Sequence, residues 1–216
     1  MKPLITFFLT ILFTTGAFAT AQYPDKLIYK GKEYDLQSNP LENYFEQHPE
    51  SRPKGDTWST ALWRGYIATF EVRDETLYLK DIEVMVFDSI TKDTKFQSVV
   101  KKVFPGQTNM KIDWVTGILV LPYGKLVNYV HMGYGSTYEK YILLEVDKGV
   151  VKKDIYLNNE QYETFKYKQF LAFKKTEEYR QLKTSLQQKE GMTDESIDDF
   201  LKSFIIGYSS RILADE

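Results

Sequence analysis

The sequence predicts an α+β fold: a single domain, a largely antiparallel sheet with C-terminal helices packed on it. Two observations carry this. Strand-like runs separated by turn residues fill the chain up to residue 157, and from 158 onward it becomes rich in Lys and Glu with apolar residues at helical spacing. A third is an absence: no repeat, low-complexity stretch or linker interrupts the chain. The expected organisation is therefore a signal peptide over 1–21 and one domain over 22–216, strand-rich over 22–157 and helical over 158–216.

The elements follow in order. Leu27 to Leu36 reads as a small hairpin turning at Gly31. Ser38-Asn39-Pro40 opens a short helix through Phe45, with proline tolerated in its first turn. Pro49, Pro53, Gly55 and Asp56 mark His48 to Ser59 as loop. Ala61 to Val72 and Thr76 to Phe87 are the clearest strands, joined through Arg73-Asp74-Glu75. Phe96, Val99, Val100 and Val103 predict a helix over 94–104, ended by Pro105-Gly106. Strands are then expected over 114–121, 125–132, 138–146 and 150–157, with turns at Pro122-Tyr123-Gly124, Gly133-Tyr134-Gly135 and Asp147-Lys148-Gly149. Residues 159–188 read as one long helix or as two broken near Thr176. Thr193 caps a last helix that carries an apolar stripe from Ile197 to Tyr208.

The first residues bear on compartment. Lys2 precedes the apolar run Leu4 to Phe13, and Ala17-Phe18-Ala19 and Ala19-Thr20-Ala21 offer the small residues that signal peptidase accepts. The run is short for a bilayer, which needs about 20 apolar residues. The reading is an exported protein, periplasmic or secreted, with no stable membrane anchor after cleavage. The chain has no cysteine, so it is not a lipoprotein and carries no disulfide. An exported chain built this way reads as bacterial.

Formal charge is -2, and loss of Lys2 with the signal takes it to -3. That balance lacks the basic footprint of a nucleic-acid binder. No metal-ligand spacing or nucleophile motif is present, so no metal and no cofactor are expected and a catalytic residue is not assigned. The Gly133-Tyr134-Gly135-Ser136-Thr137 segment has phosphate-loop composition but is followed by a strand pattern, so a plain turn is favoured.

Two sets of residues stand out. If Arg73 faces Thr76 across the central hairpin, Tyr66 falls opposite Glu83 and Ala68 opposite Asp81. Both faces of that hairpin are then apolar, and Arg64 sits diagonal to Glu83. Arg64 is accordingly expected to form a structural ion pair with Glu83 or Asp81. The second set surrounds the glycine turn: His131, Tyr134, Ser136, Thr137 and Glu139, with Trp58 in the earlier loop, are the candidate binding residues. His131 near Glu139 could do acid–base work or be a half-exposed hydrogen-bonding residue.

The segments Leu62 to Glu71 with Leu77 to Ile82, and Tyr129 to Glu139, resemble a pattern of exported bacterial proteins to which no activity is attached. The resemblance implies a bacterial family and transfers no catalytic residue. Two functions remain open: a binding or interaction protein acting on an unknown protein or envelope component, or a carboxylate-dependent hydrolase acting on an envelope or extracellular glycan. Mass spectrometry of the exported protein is expected to find a new N-terminus at Thr20 or Gln22; an intact Met1 on extracytoplasmic material refutes cleavage of the signal peptide.

Overall fold

The computed structural model describes residues 21–106, 109–131 and 133–214. The signal segment up to Thr20 lies outside the described residues, as does Met132. The chain first forms a hairpin, β1 (Asp25–Tyr29) and β2 (Lys32–Leu36), then a short α1 (Glu42–Gln47). After an irregular loop come β3 (Ile67–Arg73), β4 (Thr76–Asp88), β5 (Asp93–Ser98), the one-turn α2 (Val100–Val103), β6 (Met110–Lys111), β7 (Gly117–Asn128), β8 (Thr137–Asp147) and β9 (Val150–Asn158). Three helices finish it: α3 (Asn159–Phe173), α4 (Glu177–Glu190) and α5 (Asp194–Tyr208).

Among the described residues the strands form one sheet in the order β2-β1-β3-β4-β9-β8-β7, with β5 and β6 both paired to β4. Every pairing is antiparallel except β1 with β3. The sheet curls. β4 and β9 meet only at Thr76↔Val150, and the two ends of the path come together where Gln37 N–H donates to the Val120 carbonyl at 2.9 Å. The curl encloses a core containing Leu27, Phe70, Leu77, Ile82, Leu121 and Leu144. A second core lies on the other face of β7 and β8, where Val120, Tyr141 and Leu143 pack under Phe165, Leu201 and Ile205. Each fully buried aliphatic side chain in these cores contributes about 1.5–3 kcal/mol.

The two cores explain the sequence of β7 and β8. Ile118-Leu119-Val120-Leu121 and Tyr141-Ile142-Leu143-Leu144 are buried without interruption. That is what a strand covered on both faces requires. The β3–β4 hairpin, expected to be covered twice, is not: Leu77, Leu79, Ile82 and Val84 are buried while Tyr78, Asp81, Glu83 and Met85 remain half-exposed.

Three expected elements change. β7 runs unbroken through Pro122-Tyr123-Gly124, with Pro122 opposite Tyr141, so the turn expected there is absent and two expected strands are one. Proline fits because its nitrogen faces away from β8, where no ladder pairs with it among the described residues, so the missing N–H breaks no strand bond. Residues 93–98 are strand β5 rather than helix, since β4 extends far enough to pair with them from Glu83↔Ser98 to Asp88↔Asp93. Residues 61–66 lie outside β3, which begins at Ile67.

The helices follow their signals. Asn158 and Gln161 form a capping box on α3. Thr176 caps α4, Gly191 ends it in the left-handed region, and Thr193 caps α5. α5 buries Ile197, Leu201 and Ile205 but is kinked at Phe204, which leaves that ring exposed beside Phe200. No helix among the described residues is long and apolar enough to cross a membrane.

The β8–β9 turn locks the two halves of the sheet together. Gly149 donates its N–H to the Val115 carbonyl and accepts from Leu77 N–H, each at 2.8 Å. Its φ is +75, and a Cβ there falls 2.2 Å from the Ile112 carbonyl oxygen. Gly149→Ala is therefore expected to destabilise by more than about 1 kcal/mol, measured as a lowered urea midpoint. Gly31→Ala, also at positive φ but with nothing within 4 Å of the added carbon, is expected to cost less; equal costs contradict the close contact at Gly149.

Candidate functional site

Arg64 sits in the loop just before β3, its side chain only 2 % exposed. Its partner is Asp25, the first residue of β1, with Nη2 at 3.2 Å from Oδ1. This corrects the expected pairing with Asp81 or Glu83. The register argument assumed an unbroken hairpin, but a bulge between Thr69 and Phe70 shifts the pairing, so Ile67 faces Glu83 and Thr69 faces Asp81. Asp81 accepts from the Ser98 hydroxyl and from the Ile82 N–H. Glu83 stays half-exposed, its carboxyl held above the usual range by partial burial, then by the Asp81 and Glu33 charges.

The parallel pairing of β1 with β3 brings Asp25 to Arg64. Lys26 aligns with Thr69, which sets Asp25 beside Ala68, and the Ala68 N–H donates to Asp25 Oδ1 at 2.9 Å. Arg64 Nη2 also donates to the Tyr23 carbonyl at 2.8 Å, and Nη1 to the Tyr134 hydroxyl at 3.1 Å. The Tyr134 hydroxyl in turn donates a hydrogen bond to Asn39 Oδ1 at 2.8 Å. One guanidinium thus ties together the start of β1, the loop before β3, the β7–β8 connection and the β2–α1 connection. A neighbouring cluster supports it: the Tyr66 hydroxyl donates to Glu42 Oε1 at 2.7 Å, and Arg52 grips Glu42 with both terminal nitrogens at 3.0 and 3.1 Å.

Asp25 Oδ2 is buried with no hydrogen-bond donor among the described residues. Burial accordingly pushes the Asp25 carboxyl up to about 6, against the pull of Arg64 and the Ala68 N–H. Burial also holds the Tyr134 hydroxyl up at about 12. The Asp25 side chain is 0 % exposed and so is out of reach of a substrate.

Tyr134 forms one wall of a cleft of about 530 Å³. Gln37, Asn39 and Asn43 line it from the β2–α1 connection and α1, Tyr208 and Ser210 line it from the end of α5, and the first residues of β7 form its floor. Pro40 diverts the chain into α1 after Gln37, so β2 leaves the edge of β7 and the gap opens. The described lining carries no carboxylate, histidine, lysine or arginine. It offers amides and hydroxyls, each of which can both donate and accept. On the other side of Tyr134, a smaller cavity of about 160 Å³ is lined by Ser136, Tyr138 and Asp35.

The other candidates scatter. His131 is exposed, with its ring edge-on to Tyr129 at 4.6 Å. Glu139 accepts from Lys125 N–H at 3.2 Å, and no bond links it to His131 among the described residues. The Ser136 hydroxyl closes its own loop by accepting from Val130 N–H at 3.0 Å. Thr137 opens β8 opposite Asn128. Trp58 is 77 % exposed in the loop before β3 and is not part of the cleft lining. Of the candidate binding residues only Tyr134 lines the larger cleft, and it faces inward rather than projecting from the turn. The sequence reading missed Asp25, Asn39 and Glu42, which depend on contacts 39, 95 and 24 residues apart.

No group of three His, Asp or Glu side chains that could hold a metal ion occurs among the described residues. Comparison of the chain with protein-family models, with curated proteins and with solved structures gives no match.

Arg64→Ala leaves the buried Asp25 carboxyl without its counter-ion and donor, and is expected to cost about 3–5 kcal/mol; Arg64→Ala with Asp25→Asn is expected to recover part of this, because no ionisable group is then stranded. The raised carboxyl also predicts a pH dependence. Between about pH 4 and about 6 the folded chain keeps a proton that the unfolded chain has lost, so this group's contribution to stability falls as pH rises through that window. Urea unfolding across the window checks this. Asp25→Asn should flatten the slope, and an unchanged slope refutes the assignment.

Proposed function

We propose that this is an exported bacterial binding protein, acting in the periplasm or outside the cell, that recognises another protein or an envelope component through the cleft beside Tyr134. The observation that carries the reading is the chemistry of that cleft. Uncharged amides and hydroxyls line it together with apolar residues such as Val115 and Ile206, and no acid or base converges on it among the described residues. Such a surface can orient a ligand by hydrogen bonds, while it supplies no group with a pKa suited to proton transfer near neutrality.

The alternative, a carboxylate-dependent glycan hydrolase, needs two acids on either side of a bound sugar. Among the described residues the carboxyl raised most is that of Asp25, and its side chain is 0 % exposed. That geometry favours binding over hydrolysis. The start of the sequence supports export.

The test uses tagged mature protein on the envelope fraction, comparing wild type with Asn43→Trp. Asn43 is exposed on α1 and lines the cleft, so the indole fills the cleft without disturbing either core. Recovery of the partner is expected to fall about tenfold or more with an unchanged unfolding midpoint. Equal recovery from both proteins removes the cleft as the binding site.

A further inference from the structure

The floor of the cleft has a feature that side-chain chemistry does not use. Ile118 and Leu119 both line it, yet their side chains are turned away: Ile118 packs under the helices and Leu119 into the core enclosed by the sheet. What these residues turn toward the cleft is main chain.

The register identifies which main-chain groups. Val120 gives its carbonyl to Gln37 and therefore turns it away from β8. Along a strand, alternate residues point their N–H and C=O to the same side. Ile118 lies two residues earlier in unbroken register, with Ile118↔Glu145 and Val120↔Leu143. Its N–H and C=O also point away from β8, into the gap that β2 vacates. Among the described residues neither group has a hydrogen-bond partner. Ile118 is nevertheless 4 % exposed. A nearly buried main-chain pair of this kind almost always has a partner.

Resting on the binding reading above, we infer that the cleft takes an extended polypeptide segment, which adds to the edge of β7 by hydrogen bonds to both main-chain groups of Ile118. The edge already accepts a strand at the neighbouring position, since Gln37 at the end of β2 occupies Val120. The incoming segment continues the line that β2 leaves at Pro40. Between Val120 and Thr116 there is room for about three or four residues at a rise of about 3.3 Å each. The walls fit uncharged side chains that hydrogen-bond, such as Ser, Thr, Asn and Gln, at alternate positions of the guest. Main-chain bonds give the affinity and the flanking amides the selectivity.

The test selects the tightest binder from a capped hexapeptide library on beads and follows it by amide NMR on the intact mature protein. At saturation, hydrogen exchange at the Ile118 amide is expected to slow about tenfold or more, and N-methylation of alternate peptide nitrogens in the same sequence is expected to abolish binding. A selected peptide that leaves Ile118 exchange unchanged overturns the inference. So does retention of affinity by both N-methylated registers. Chitohexaose and maltohexaose form a second arm: saturable binding of either, blocked by Asn43→Trp with Ile118 exchange unchanged, overturns strand addition while leaving the cleft as the binding site. Failure of the cleft itself is the separate result in which Asn43→Trp changes no binding at all.

Discussion

The buried Arg64–Asp25 pair is the contact on which the rest of the arrangement depends. It spends no burial on affinity in the ordinary sense: a buried ion pair is on balance about as stable as well-packed apolar side chains of the same size. What it adds is position. Arg64 has five donors in a rigid fork, and here they reach Asp25, the Tyr23 carbonyl and the Tyr134 hydroxyl. These belong to segments far apart in the chain. An apolar residue at position 64 fills the same volume without fixing the orientation of Tyr134. Lysine lacks the fork.

The cost of this arrangement is visible at Asp25, where burial outweighs the attraction of Arg64. A carboxyl held that way resists movement of its partner, because displacing Arg64 removes both its counter-ion and its hydrogen-bond donor from an apolar interior. Tyr134 is thereby tied to the core although it sits in a connection between strands. Bonded to Asn39, it lines both the larger cleft and the smaller cavity.

The C-terminal helices were legible in the sequence because their signals are local: the break near Thr176, the stop at Gly191 and the cap at Thr193 act within a few residues of themselves. The sheet was legible in outline. The bulge beside Lys80 leaves a trace, since burial alternates through Leu77 and Leu79 and resumes one step out of phase at Ile82 and Val84. That change of parity marks the bulge that moved Glu83 from opposite Tyr66 to opposite Ile67. The extension of β7 through Pro122 and Gly124 was hidden, because those residues signal a turn unless the strand is known to be at an edge. The pairing of Arg64 with Asp25 left no local trace. It requires the parallel β1–β3 contact, which no hairpin rule supplies.

β7 carries the site because of how it is packed. Its first half is held between two cores, one on each face, so it cannot rotate or rise out of the sheet without exposing Leu119 and Leu121 or Ile118 and Val120. β8 holds one edge in unbroken register from Gly117 to Tyr123. The remaining freedom of contact is in the plane of the sheet, at the other edge, and β2 occupies that edge only as far as Gln37. No strand among the described residues completes it: Pro40 carries the backbone into α1, and the end of α5 stands at the far side of the gap. The rigidity that the two cores give β7 is what makes an unpaired main-chain pair costly to leave empty and favourable to fill, since the guest pays for its own ordering and none for the strand it meets.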